Sequence, residues 1–131
     1  MNSNKLLKII MFTICYVSII GIKAQDLKTA LKLTDNEQFD AAKSMYNSLL
    51  AKEPLNGELY YYLGENYLKS YFTDTVSTEL KDISKLAIDQ FKKGIQSEAN
   101  NPLNYVGLIK VDLLNGDTNR IRGYFSKIES L

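Results

Sequence analysis

Residues 56–70 read NGELYYYLGENYLKS, and this run decides how the rest of the chain is understood. Asn56 is a good helix N-cap, since its side-chain oxygen can accept from the first free backbone amides. Pro54, two residues earlier, forbids a helix from passing through. Within the run Tyr60, Leu63, Gly64 and Tyr67 fall three or four residues apart, which puts them on one helical face with a small residue in its middle. A helix from Gly57 to about Ser70 follows.

Working outward, apolar residues keep a helical spacing from Asp26 to the chain end, and the only prolines, Pro54 and Pro102, lie between periodic segments. A first helix is read from Asp26 to Asp35. A second carries Phe39, Ala42, Tyr46, Leu49 and Leu50 and ends at Lys52. The polar stretch Thr73 to Thr78 interrupts the pattern, and a fourth helix follows with Leu80, Ile83, Ala87, Phe91 and Ile95 in one stripe. Asn101 and Pro102 start a fifth, which Asn115-Gly116 ends. A sixth carries Ile121, Phe125 and Ile128 to Leu131. The expected fold class is all-α.

The six helices hide a period. Ala30 and Leu33 correspond to Gly64 and Tyr67, and Phe91 to Phe125, at a shift of 34 residues. Tyr60 and Leu63 correspond to Tyr105 and Leu108, and Ala42 and Tyr46 to Ala87 and Phe91, at a shift of 45. One insertion of eleven residues between the third and fourth helices reconciles both shifts. The insertion is expected to lengthen the loop and to add up to two turns at the start of the fourth helix, where Leu80 and Ile83 extend the apolar stripe. Because loop closure costs only about 0.6 kcal/mol per doubling of length, deletion of Asp74 to Ser84 is expected to leave a folding chain.

A helix-turn-helix unit of 34 residues resembles the tetratricopeptide repeat, and Tyr60-x-x-Leu63-Gly64-x-x-Tyr67 is similar to its Trp-x-x-Leu-Gly-x-x-Tyr run. Ala30, Ala42, Tyr46 and Pro54 match the family in the first unit. The third unit departs from it, with Ile109 and Ile121 where small residues are usual. The resemblance implies an α-α superhelix, a solenoid of about three helical hairpins over 25–131, with units at 25–55, 56–100 (the insertion near 71–81) and 101–131. It also implies that the first helix of each hairpin lines a concave groove. The groove positions are then Leu27, Leu31 and Asp35, next Glu58, Tyr61, Glu65, Leu68 and Lys69, and last Val106, Lys110 and Leu113. Members that clamp a chaperone's terminal carboxylate use Lys and Asn where Leu27, Leu31 and Glu65 stand here, which argues against that ligand. Of the consecutive tyrosines, the resemblance turns Tyr60 into its own repeat, Tyr62 towards the neighbouring one and Tyr61 into the groove, where an amphipathic ring suits binding.

Composition narrows the function. The chain has 131 residues, 45% apolar and 24% charged, which excludes a disordered or collagen-like polymer. Histidine is absent and Cys15 is the only cysteine, so neither zinc ligation by Cys and His nor a nucleophile paired with a histidine base is available. No phosphate-binding glycine loop and no G-x-S-x-G occurs. Glu58 with Glu65, and Asp82 with Asp89, read as solvated faces. Lys92-Lys93 and Arg120 with Arg122 are too sparse for a nucleic-acid track. The expectation is a non-enzymatic chain with no cofactor and no metal, whose partner is a protein or peptide and not nucleic acid. A helical accessory or ligand-binding subunit of an outer-membrane uptake system, or the N-terminal part of a longer protein, is the alternative.

At the N-terminus, Lys5 and Lys8 precede an uncharged run of 14 residues, Ile9 to Ile22. Spanning a bilayer takes about 20 apolar residues, so the run reads as a secretory signal over 1–24, cleaved after Ala24 and touching the membrane only transiently. Lys23 keeps an uncleaved anchor open. Cys15 lacks the small-residue context of a lipoprotein signal. Removal of the segment takes three lysines and leaves 13 Lys and Arg against 15 Asp and Glu. The Lys, Asn and Ile richness and the Lys23-Ala24-Gln25 junction are similar to those of exported Bacteroidota proteins, which places the chain in a periplasm or at an outer membrane. Self-association is expected, because repeat arrays need a polar terminal face and the sixth helix is apolar there.

Overall fold

Asn56 and Asn101 cap helices as their chemistry suggests. The Asn56 Oδ1 accepts from the backbone amides of Glu58 and Leu59 at 3.1 and 3.4 Å, and the Asn101 Oδ1 from that of Leu103 at 3.1 Å. The computed structural model describes residues 25–73 and 79–131. It contains α1 over 25–35, α2 Phe39–Lys52, α3 Gly57–Thr73, α4 Leu80–Ser97, α5 Leu103–Leu114 and α6 Ile121–Glu129, with no strand among the described residues. The expected cleavage point and the apolar run Ile9 to Ile22 lie outside the described residues, as do residues 74–78. Gly116, at φ 71°, takes the left-handed conformation that closes α5.

Each helix packs on its successor, and α3 also packs on α5. That pattern stacks the hairpins side by side. The core is correspondingly a chain of clusters threaded by α3. Ala30, Ala42, Tyr46, Leu49, Leu59 and Leu63 form one, and Leu68, Ile83, Ala87, Phe91, Leu108 and Val111 form the next. Ala42 and Ala87, and likewise Tyr46 and Phe91, are fully buried pairs of equivalent positions at the 45-residue shift. The hydrophobic period is thus the packing period.

Buried polar groups tie the first two hairpins together. The Tyr46 hydroxyl lies 3.2 Å from the Thr34 Oγ1, which donates to the Asn66 Oδ1 at 2.8 Å, and the Asn66 Nδ2 donates to the Phe39 carbonyl at 3.0 Å. Such a chain is satisfied in only one register, so it fixes α1 and α2 against α3. Burial, more than its hydrogen bond to Thr34, sets the Tyr46 phenol and raises its pKa.

Three details differ from the sequence-based expectation. The small residue Gly64 makes room for the Phe91 ring and not for a helix backbone: an added Cβ would come 2.4 Å from the ring. Gly107 meets the other side of Phe91 equally closely, so the small position of the third unit is Gly107 and not the site of Ile109, which is buried. Part of the expected insertion belongs to the core, because Ile83 and Ser84 are buried in the first turns of α4 and the Ser84 hydroxyl donates to the Asn115 Oδ1 at 3.3 Å. Deletion of Asp74 to Ser84 therefore removes core packing.

Candidate functional site

Because α2 and α4 back the structure, α1, α3 and α5 share the opposite face. Their facing side chains meet across it. The Lys69 Nζ donates to the Asp35 Oδ1 at 2.8 Å, joining α3 to α1. The Lys110 Nζ donates to the Glu65 Oε2 at 2.7 Å, joining α5 to α3. The same ammonium donates to the Tyr61 hydroxyl at 3.2 Å and stands 5.5 Å from the Tyr61 ring centroid, close enough for a cation–π contact. Partial burial pulls the Lys110 pKa down, but the bonds to Glu65 and Tyr61 outweigh it and hold it above the ordinary lysine value.

Two hollows open along this face, one on each side of Glu65 and Lys69. The smaller, about 130 Å³, lies between α1 and α3 against Leu31, Asp35, Tyr61 and Tyr62. The larger, about 430 Å³, lies between α3 and α5, where Leu68, Phe72, Leu113 and Leu114 form the wall and Glu65, Lys69 and Lys110 the edge. Phe72 is 59% exposed and Leu113 58%. An apolar floor with charged groups at its rim can hold an apolar side chain while orienting the polar chain around it.

The expected groove residues divide accordingly. Leu31, Asp35, Tyr61, Glu65, Leu68, Lys69, Lys110 and Leu113 line one or both hollows. Leu27 instead packs against the first core cluster. Glu58 accepts from the Tyr62 hydroxyl at 2.9 Å; burial first, then this bond, pushes the Tyr62 phenol up to about 12. Val106 is half-buried on α5 and lines neither hollow. Tyr61 is less free than a groove tip should be, since its ring centroid lies 6.0 Å from that of Phe91 and 5.5 Å from that of Tyr62. Tyr62 stacks on Tyr46 of α2, towards the neighbouring hairpin. Tyr60 is half-buried, outside both core clusters, and its hydroxyl donates to the Pro54 carbonyl at 3.2 Å.

Sequence reasoning missed Phe72 and Leu114. Phe72 lies beyond Ser70, where α3 was expected to stop, although its four-residue spacing from Leu68 was a signal. Leu114 follows Lys69 by the 45-residue shift and could have been found from it. Among the described residues no group of three or more Asp, Glu, Cys or His could hold a metal ion, and no helix is long and apolar enough to cross a membrane.

No family model matches the chain, and no curated protein matches it either. Among solved structures the chain is similar to one of human IFIT1, described as a dimer with PPP-AAAA, with a TM-score of 0.70 at 15% identity over 81% of this chain. The match covers 25% of that chain, so this chain spans about a quarter of its length. A likeness at this identity speaks for the fold alone, and it agrees with the stacked hairpins: the chain is an all-α superhelical solenoid of tetratricopeptide-like helical hairpins.

Proposed function

We propose that this chain is a non-enzymatic binding scaffold that takes a protein or peptide along the face of α1, α3 and α5, with an apolar side chain of the partner in the hollow between α3 and α5. The supporting observation is the exposed pair Phe72 and Leu113 beside a cavity of about 430 Å³. Exposed apolar side chains around a concave surface mark a binding site more often than an accident of the surface. Paired charges at the rim favour protein over nucleic acid. A triphosphate-bearing oligonucleotide such as PPP-AAAA needs unpaired cations, and here Lys69 and Lys110 are each neutralised by a carboxylate. Residues 1–24 supply export in this reading, and the scaffold acts in a periplasm or at an outer membrane.

Photo-crosslinking from position 113 or 72 in the exporting cell tests the groove. A protein adduct is expected from both positions and none from Lys92, an exposed residue of the backing helix α4. Adducts from Lys92 alone would refute the groove, and an adduct to nucleic acid would refute the partner class.

A further inference from the structure

Among the described helices α6 alone has no buried residue, although its apolar and polar positions are sharply segregated. Its inner edge is anchored by Tyr124, whose ring centroid lies 6.5 Å from that of Tyr105. Its outer side carries Phe125, 53% exposed, over a shallow hollow of about 500 Å³. Arg122, Phe125 and Glu129 line that hollow, and their spacing of three and four residues puts them in one stripe of α6, while Thr118 lines it from the turn before the helix. Arg122 stands one turn before Phe125 and Glu129 one turn after. The two lie about 10 Å apart along the axis, too far to reach each other, and neither side chain has an ion-pair partner among the described residues.

We propose that this stripe binds the same stripe of a second copy, with the two α6 helices antiparallel about a two-fold axis that passes between Phe125 and Ser126. The arrangement of charge selects this occupant and this direction. In an antiparallel pair Arg122 of each protomer lies opposite Glu129 of its partner, and the two equivalent ion pairs flank the packed Phe125 rings. A parallel pair sets Arg against Arg and Glu against Glu, which repels. A patch that meets itself with opposite charges at its two ends is what an isologous interface requires. This helix is only about 13 Å long, so the contact falls below the roughly 800 Å² per partner of a standard interface and the dimer is weak, forming above about 10 μM.

Sedimentation equilibrium of the purified chain from about 5 to 500 μM tests the proposal. A reversible monomer–dimer equilibrium is expected. Phe125→Glu should weaken it at least about tenfold, and Arg122→Glu or Glu129→Arg each about tenfold, since each change turns two attractions into two repulsions. The double variant Arg122→Glu with Glu129→Arg should return to within about threefold of the parent. All three substituted positions are exposed, and unchanged helical circular dichroism confirms the fold of each of the four variants. A monomer across the whole range overturns the proposal. So does a double variant no tighter than the singles, or association indifferent to Phe125→Glu, which would assign the contact to residues outside α6, the apolar run Ile9 to Ile22 among them.

Discussion

Lys110 reaches Glu65 across 45 residues of sequence, and Lys69 reaches Asp35 across 34, so both ion pairs on the face of α1, α3 and α5 join equivalent positions of adjacent hairpins. The repeat therefore organises the surface charge as well as the core. Placing opposite charges at equivalent positions neutralises each row of this face from side to side and leaves the apolar wall between rows as its distinguishing chemistry.

The Lys110–Glu65 pair is expected to contribute about 1 kcal/mol, more than a typical exposed pair, because the Glu65 side chain is only 18% exposed. A double-mutant cycle with Lys110→Met and Glu65→Gln measures it. Since the Lys110 pKa is raised in the fold, this contribution is fully present below the unfolded lysine value near pH 10.4 and is lost as pH rises through the folded value. The stability gap between parent and Lys110→Met should be flat from pH 7 to 9 and shrink above about pH 10.5. A gap that instead widens there would show that the ammonium is not what holds the pair.

Tyrosine ionisation offers a separate reading of the same region. Tyr62 is pushed up to about 12 by burial and by its bond to Glu58, so its phenol should ionise well above the ordinary tyrosine value near 10 in a spectrophotometric titration. Glu58→Gln removes the carboxylate and should bring that late step down. No change in the step would place the cause in burial alone.

Phe91, held between Gly64 and Gly107, should make the second hairpin intolerant of the smallest addition. Gly64→Ala is expected to cost about 2–3 kcal/mol, at the upper end for overpacking, since the ring is closed on both faces. Phe91→Leu in the same chain should recover part of that loss. Thermal unfolding of the single and double variants decides it, and a silent Gly64→Ala would mean the ring has room to move.

How far such positions could be read from sequence depends on whether the period alone defines them. Ala42 with Ala87 and Tyr46 with Phe91 were legible because a buried helical stripe must repeat when its neighbours repeat. Phe125 follows Phe91 by the 34-residue shift but is exposed, because α6 packs on α5 alone. Gly107 was not legible, since Phe91 reaches across to a helix of the next unit and contacts between units need not keep the register within them. On the shared face of α1, α3 and α5, register placed the charged and aromatic side chains that line the two hollows. The hollow beside Phe72 was not, because its depth depends on α3 continuing to Thr73.

Part of the expected extra length between α3 and α4 likewise belongs to the core, at Ile83 and Ser84. Ile83→Ala is expected to destabilise the chain by about 2 kcal/mol, as for a buried aliphatic residue whose site collapses only partly. Denaturant unfolding measures this. A loss below about 0.5 kcal/mol would return the whole stretch to the class of tolerated surface insertions.

Binding and folding are best separated at Leu113, not at Tyr61. The sequence alone offers Tyr61→Ala as a groove probe with little effect on stability, but its ring packs against Phe91 and Tyr62, so truncation opens the core and is expected to cost about 2–3 kcal/mol of stability. Leu113 is 58% exposed and lines the larger hollow. Leu113→Ala should leave stability within about 0.5 kcal/mol of the parent, as other surface changes do. If an apolar anchor of the partner fills the hollow, the same change should weaken binding by about 2 kcal/mol, near thirtyfold. Titration of both variants with the protein captured at position 113, alongside their unfolding curves, tests the contrast. Should Leu113→Ala bind as tightly as the parent while Tyr61→Ala remains stable and loses binding, the partner sits over Tyr61 and the hollow between α1 and α3, and the site moves one hairpin towards the N-terminus.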